Sequence, residues 1–259
     1  MEIDAIRRTA VAAAYEAGRI LTDRFGRMHT VRKKGGIDLV TEADTASEAA
    51  IVETIRFAFP GHSILAEEEG EIGAPSQYSW IVDPLDGTTN YAHHLPIFSV
   101  SIAFTSEGDT LFGLVFNPIT QELFIAEKGR GATLNGRAIS VSRNDTLNES
   151  LLVTGFPYDL SERLPSLIDK LSRCVGAAQG VRRLGSAALD LCFVACGRFD
   201  GFWEESLKPW DTAAGALILT EAGGHVTDFA QAGWNPFKQE ILATNGLIHD
   251  ELAAVIAGG

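Results

Sequence analysis

The chain has 259 residues, 46% hydrophobic and 21% charged, which suits one large domain or two intimately packed halves with a substantial buried core. A formal net charge of −13 argues against general binding to nucleic-acid backbones and is compatible with binding of cations. No apolar run reaches the roughly 18 residues that span a bilayer. The opening MEIDAIRRTAVAAAYEAGRI mixes acids and bases through its apolar positions, unlike a signal peptide, so a cytoplasmic protein is expected.

Residues 3–25 predict an amphipathic helix, with Ile3, Ile6, Ala10, Ala14, Ala17 and Leu21 at helical spacing. Lys33-Lys34-Gly35-Gly36 reads as a basic, flexible loop, either serving an acidic site or lying on the surface. A second helix is expected from about Asp44 to Phe59, stopped by Pro60-Gly61, with Thr41 or Asp44 able to cap it. SILAEE and WIVDP are apolar strands that end in acids. FSVSIAF, LFGLVFNP and ELFIAEK predict an antiparallel meander, separated at Glu107-Gly108-Asp109 and Asn117-Pro118.

Around Arg143–Ser150 the pattern changes, and apolar strands alternate with helices. SLLVTGF, a helix near 160–174, GVRRL, a helix over 186–196, FDGFWE, a helix over 211–222, HVTDF and EILATN follow in turn. Residues 1–145 therefore predict an α+β half and 146–259 an α/β half of one compact unit, with sheets layered between helix pairs and the active site at the seam. Cys174, Cys192 and Cys196 are an odd set without partners at zinc-like spacing, so they are expected as buried thiols.

The most informative segment is WIVDPLDGTTN, residues 80–90. An apolar strand delivers Asp83, Pro84 enforces an exit, and Asp86 follows. Gly87 permits close backbone approach, and Thr88-Thr89 bring hydroxyls and the N–H groups of a helix start. Two carboxylates on such a turn suit a hard cation, because magnesium prefers oxygen ligands. Three other segments are ambiguous alone. Asp38 and Asp44 flank LVT, where a helix cap explains an acid equally well. Glu67, Glu68 and Glu69 end a strand, where a solvated face would do, and Asp211 opens an Ala-rich helix as a ready N-cap.

Taken together, LVTEAD, AEE, DPLDGTTN and WDTAAG followed by TEAGG stand in the order found in the inositol monophosphatase family, which the chain resembles over nearly its whole length. RRLGSAALDLCFVACGRFDGFWE is similar to its bacterial members. The resemblance implies the layered α-β-α-β-α sandwich of the sugar phosphatases and a Mg2+-dependent phosphatase using two to three ions. It implies Glu67, Asp83, Asp86 and Asp211 as side-chain metal ligands, the first three carried by the N-terminal half, with Leu85 lending its carbonyl. Thr88 and Asp44 would orient and deprotonate a metal-activated water, and Glu67 and Glu68 would hold a second activated water or tune the ligands around the first. The substrate would meet Gly87, Thr88, Ala187, Glu204 and Asp211.

If GVRRL is a strand, Arg182 and Arg183 point to opposite faces, and Arg182 is expected to be the one that reaches the substrate. Trp203 is expected to narrow or roof the pocket, and His93 and His94 to be loop residues rather than ligands. The family habit also implies lithium inhibition and a homodimer. The favoured substrate is myo-inositol 1-phosphate. Histidinol phosphate, fructose 1,6-bisphosphate and 3′-phosphoadenosine 5′-phosphate are the rivals within the class. A scaffold for RNA or the transcription machinery is the rival outside it.

Overall fold

The computed structural model describes residues 3–26, 31–33, 39–157 and 163–258, with 31–33 and 39–41 described by their backbone alone. Asp38, Lys34 and the segment 158–162 lie outside the described residues. Helix α1 (Ile3–Arg24) is followed by strands β1 (Val31–Lys33) and β2 (Leu39–Thr41), an antiparallel pair, and by α2 (Glu42–Ala58). Then come β3 (Ser63–Ala66), β4 (Gly70–Ile72), β5 (Tyr78–Asp86) and the short α3 (Thr88–Ala92). The meander continues through β6 (Ser99–Ser106), β7 (Asp109–Asn117), β8 (Glu122–Glu127), β9 (Ala132–Leu134) and β10 (Arg137–Ala138). The remainder comprises β11 (Leu151–Thr154), α4 (Leu164–Ala177), β12 (Gly180–Arg182), α5 (Ala187–Ala195), β13 (Gly201–Glu205), α6 (Pro209–Glu221), β14 (His225–Thr227), β15 (Glu240–Thr244) and α7 (His249–Ala257).

One sheet has eight strands in the order β10-β9-β8-β7-β6-β5-β3-β4, and the other has five in the order β12-β11-β13-β15-β14. Helices α1 and α2 cover the outer face of the large sheet, α5 and α6 fill the space between the sheets, and α4 and α7 cover the small sheet. The result is five layers, α-β-α-β-α, as expected. The layering follows from side-chain patterning. Helix α1 buries Ile6, Ala10, Ala14, Ala17 and Leu21 along one stripe. Helices α5 and α6 are mostly apolar and buried on nearly every side, as elements between two sheets must be.

The bend that builds the site lies in β5. Trp80 and Val82 face the α1/α2 layer, whereas Ile81 faces the central helices. In a regular strand, residues three apart point to opposite faces. Here the pairing shifts between Asp83↔Ser101 and Asp86↔Ser99, so β5 carries one extra residue at Pro84-Leu85. Proline is tolerated at such a bulge because it has no N–H to give to the ladder. Leu85 turns into the α1/α2 core, and Asp86 joins Asp83 on the side of the central helices.

Candidate active site

A cavity of about 410 Å³ opens where β5, α3, α5, β13 and α6 converge. Glu67, Asp83, Leu85, Asp86, Gly87, Thr88, Ala187, Glu204 and Asp211 all line it. Sequence positions up to 144 residues apart thus form one wall. Asp83 Oδ1 accepts the Leu85 N–H at 2.9 Å, which fixes the bulge. Asp86 Oδ2 accepts the Ser186 hydroxyl at 2.6 Å and the Ala188 N–H at 2.8 Å, so α5 holds it from its first turn. Gly87 has φ +101°, and a Cβ there would stand 3.0 Å from the Ile97 carbonyl oxygen, so both conformation and space require glycine. Asn90 Nδ2 donates to Ile97 O at 2.7 Å and Leu184 O at 2.8 Å, tying this loop to the strand-to-helix segment before α5.

Asp44 is fully buried in the first turn of α2, inside the helix rather than at its boundary. Its Oδ1 lies 3.0 Å from Thr88 Oγ1. Asp211 is the third residue of α6, and its Oδ2 accepts the Lys208 N–H at 2.7 Å, the reciprocal half of a capping box. The helix starts two residues earlier than its sequence suggests, with Pro209 at the first position, where proline is tolerated.

The electrostatics are those of an anionic cluster. Burial, then the charges of Glu67, Asp86 and Asp211, push the Asp83 carboxyl well above the usual carboxylate range. Burial raises Asp86 to about 6 against the hydrogen bonds from Ser186 and Ala188. Burial also raises Asp211 well above its ordinary value, opposed by the Lys208 N–H. Among the described residues no three acidic, His or Cys side chains form a finished cation cage. The donor set nevertheless fits a hard divalent cation. It is all oxygen, and the neighbouring carboxylates raise both Asp83 and Asp211, a penalty that positive charge between them would remove.

Several expectations need correction. Arg182 is exposed at the end of β12 and donates to the Val181 carbonyl, and it is absent from the cavity wall. Arg183, just past the strand, lines the cavity instead. Trp203 does not roof the pocket. It packs in the outer core with Leu152 and Leu242, because alternation along β13 sends Phe202 and Glu204 to the opposite face. Phe156, Pro157, Leu207 and Trp210 supply the apolar wall. Glu68 and Glu69 lie outside the lining, whereas Glu67 is part of it. His93 and His94 are exposed after α3, as expected of loop residues. All three cysteines are free, with Cys174 and Cys192 buried and Cys196 half-buried.

Two acidic residues were not singled out from the sequence. Glu48 on α2 is 1% exposed, and its carboxylate accepts the N–H groups of Glu68 and Glu69. Asp190 on α5 is fully buried, and neither of its oxygens has a hydrogen-bond partner among the described residues. Burial, then Glu204 and Asp86, push its carboxyl well above the usual range, which favours its protonated form.

Comparison with known proteins then decides the family. Residues 2–258 match the inositol monophosphatase family. The chain belongs to that family. An inositol-1-monophosphatase of Synechocystis sp. is 46% identical over 250 residues, covering 96% of this chain and 87% of the relative. A protein of Pseudomonas aeruginosa named Nus factor SuhB is 44% identical over 243 residues, covering 91% and 90%. The crystal structure of the extragenic suppressor protein suhB from Bartonella henselae superposes with a TM-score of 0.95 at 41% identity, covering 98% of this chain and 99% of the other. Membership makes the protein a phosphatase, a phosphoric monoester hydrolase. Among the described residues no helix is long and apolar enough to cross a membrane.

Proposed function

We propose that this phosphatase hydrolyses the monoester of a small polyol, with myo-inositol 1-phosphate as the favoured substrate and Mg2+ as its cofactor. The observation that carries the reading is the shared wall, where Glu67, Asp83, Asp86 and Asp211 stand in one cavity with Glu204. When bound, two or three magnesium ions supply countercharge for the phosphoryl oxygens and lower the pKa of water. Glu67, Asp83, Asp86, Asp211 and the Leu85 carbonyl would hold them.

The chain's own groups then account for the rest. Thr88 accepts a hydrogen bond from the attacking water while donating its proton to Asp44, which sets the water's direction. Gly87 and Thr88 border the phosphate, and the absent Cβ lets Gly87 pack against the Ile97 and Gly185 carbonyls that hold this turn. Ala187 leaves room for the ring, and Glu204 meets the hydroxyls. A bond from water oxygen to phosphorus forms as the water's proton passes toward Thr88 and Asp44, the ester P–O bond breaks, and the leaving oxygen takes up a proton from solvent so that the alcohol departs. No side chain need carry the phosphoryl group.

A second reading rests on the relatives named Nus factor SuhB, at 44% identity. It would add contact with RNA or the transcription machinery to the phosphatase activity. The net charge of −13 disfavours a direct RNA surface. The decisive experiment for the first reading is phosphate release from myo-inositol 1-phosphate with and without exhaustive chelation. Activity that returns on adding Mg2+ is expected, and activity that survives chelation overturns it. An electrophoretic mobility assay with RNA tests the second reading.

A further inference from the structure

We propose that Glu48 is a positioning residue for Glu67, acting through the backbone of the turn that carries it. The inference rests on the metal-dependent reading above and extends it to a residue outside the cavity.

Strands β3 and β4 form a hairpin in which Ala66 pairs with Gly70, so Glu67, Glu68 and Glu69 make up the whole loop. Gly70 closes it at φ +76°. Three consecutive acids on a tight turn repel one another, and backbone hydrogen bonds hold the loop in place. Glu67 N–H donates to the Val82 carbonyl at 3.2 Å, which lashes the turn to β5 one residue before Asp83. Glu68 N–H donates to Glu48 Oε2 at 2.8 Å, and Glu69 N–H donates to Glu48 Oε1 at 2.9 Å. All three N–H groups of the loop are thereby assigned, two of them to one carboxylate.

A glutamate on a helix ordinarily faces water. Glu48 is 1% exposed, and a fourth acid beneath three others makes sense only if its two oxygens are needed where they are. Its neighbours on α2 point the same way. Asp44, one turn earlier, meets Thr88, and the Ser47 hydroxyl donates to the Pro84 carbonyl at 2.8 Å. Residues three and four apart share a helix face. One face of α2 therefore grips the Glu67 turn, the β5 bulge and the Thr88 hydroxyl together, and Glu48 sets the first of these relative to the other two.

Glu48→Gln keeps the shape but replaces one acceptor by an NH2 group that faces an N–H donor. It should raise both the Mg2+ concentration for half-maximal hydrolysis and the calorimetric Mg2+ dissociation constant about tenfold, the scale at which groups orienting a metal ligand act. At saturating Mg2+, kcat should recover to within about threefold. Glu48→Ala should show the larger shift, with Glu48→Gln carrying the test if the alanine variant does not fold. Glu69→Gln, whose side chain is exposed, should leave Mg2+ binding unchanged. A lowered melting temperature with wild-type Mg2+ affinity in Glu48→Gln would reduce Glu48 to a structural residue and overturn the proposal alone. A wild type that neither binds nor requires Mg2+ overturns the metal-dependent reading, and this proposal with it.

Discussion

Thr88 Oγ1 stands 3.0 Å from Asp44 Oδ1 and 3.1 Å from the Leu85 carbonyl oxygen, and it has one proton to give. Donation to the carboxylate leaves the Leu85 carbonyl available to a cation and the hydroxyl lone pairs available to water. Such orientation matters most as the transition state forms. Thr88→Ala should therefore lower kcat roughly 100-fold while KM changes little. Thr88→Ser should retain most activity. Thr89→Ala is the control, because Thr89 does not line the cavity. Unchanged kcat with raised KM in Thr88→Ala would make Thr88 a simple phosphate contact.

Asp83 and Asp211 separate activity from stability. Asp83→Asn and Asp211→Asn each remove a ligand charge and should cost roughly 100-fold or more in turnover. Without metal, Asp83→Asn should raise the melting temperature, because burial and three neighbouring carboxylates oppose the Asp83 charge. Adding Mg2+ should stabilise the wild type more than this variant. Near-wild-type turnover of either variant at saturating Mg2+ would remove that residue from the ligand set.

How much of this was legible beforehand depended on whether local sequence or distant packing decides each feature. DPLDGTTN carries its turn chemistry in its own residues, and the layering follows from apolar periodicity. The bulge that brings Asp83 and Asp86 to one side depends on the register with β6, which no residue of the motif encodes. The choice between Arg182 and Arg183 turned on where β12 ends, and strand ends are poorly marked locally. Glu48 sits in EADTASEAAI, where an acid reads as a solvated helix face, and its burial comes from a hairpin 20 residues away. Helix α7, in HDELAAVIA, was missed because nine residues carry a weak periodic signal. The strands β9 and β10 were too short to register at all.

Asp190 makes a prediction about pH. Its folded-state pKa lies above its unfolded value, so its contribution to stability is complete below the unfolded pKa and is lost as pH rises through the folded one. In that window the native state holds a proton that the unfolded chain releases. Asp190→Asn has no proton to hold. Its melting temperature relative to wild type should therefore climb as pH rises from the ordinary carboxylate range toward the raised folded-state pKa. A constant difference across that range would show that Asp190 does not fold as a neutral acid.

Glu204 should govern the choice of substrate. Its carboxyl lies so close to Gly155 that a Cβ on that glycine would fall 2.1 Å from either oxygen. Burial, then Asp211 and Asp86, push its pKa up to about 8, with Arg183 opposing. Cations bound by Asp211 and Asp86 would offset two of these influences and favour the ionised form. A carboxylate there accepts hydrogen bonds from polyol hydroxyls and repels a second phosphate. A bisphosphorylated nucleotide would need several basic partners, and the cavity wall offers Arg183 and Lys208 beside Glu204 and Glu205. Glu204→Gln should raise KM for myo-inositol 1-phosphate about tenfold, the loss of one or two charged hydrogen bonds, and narrow its lead over fructose 1,6-bisphosphate. Arg183→Ala should weaken both substrates, whereas Arg182→Ala should affect neither. The measurement is kcat/KM for both compounds, histidinol phosphate and 3′-phosphoadenosine 5′-phosphate on each variant. If the nucleotide proves the best wild-type substrate, the charge argument fails. If histidinol phosphate leads and Glu204→Gln abolishes its lead, Glu204 keeps its role but pairs with the substrate's ammonium group rather than a sugar hydroxyl.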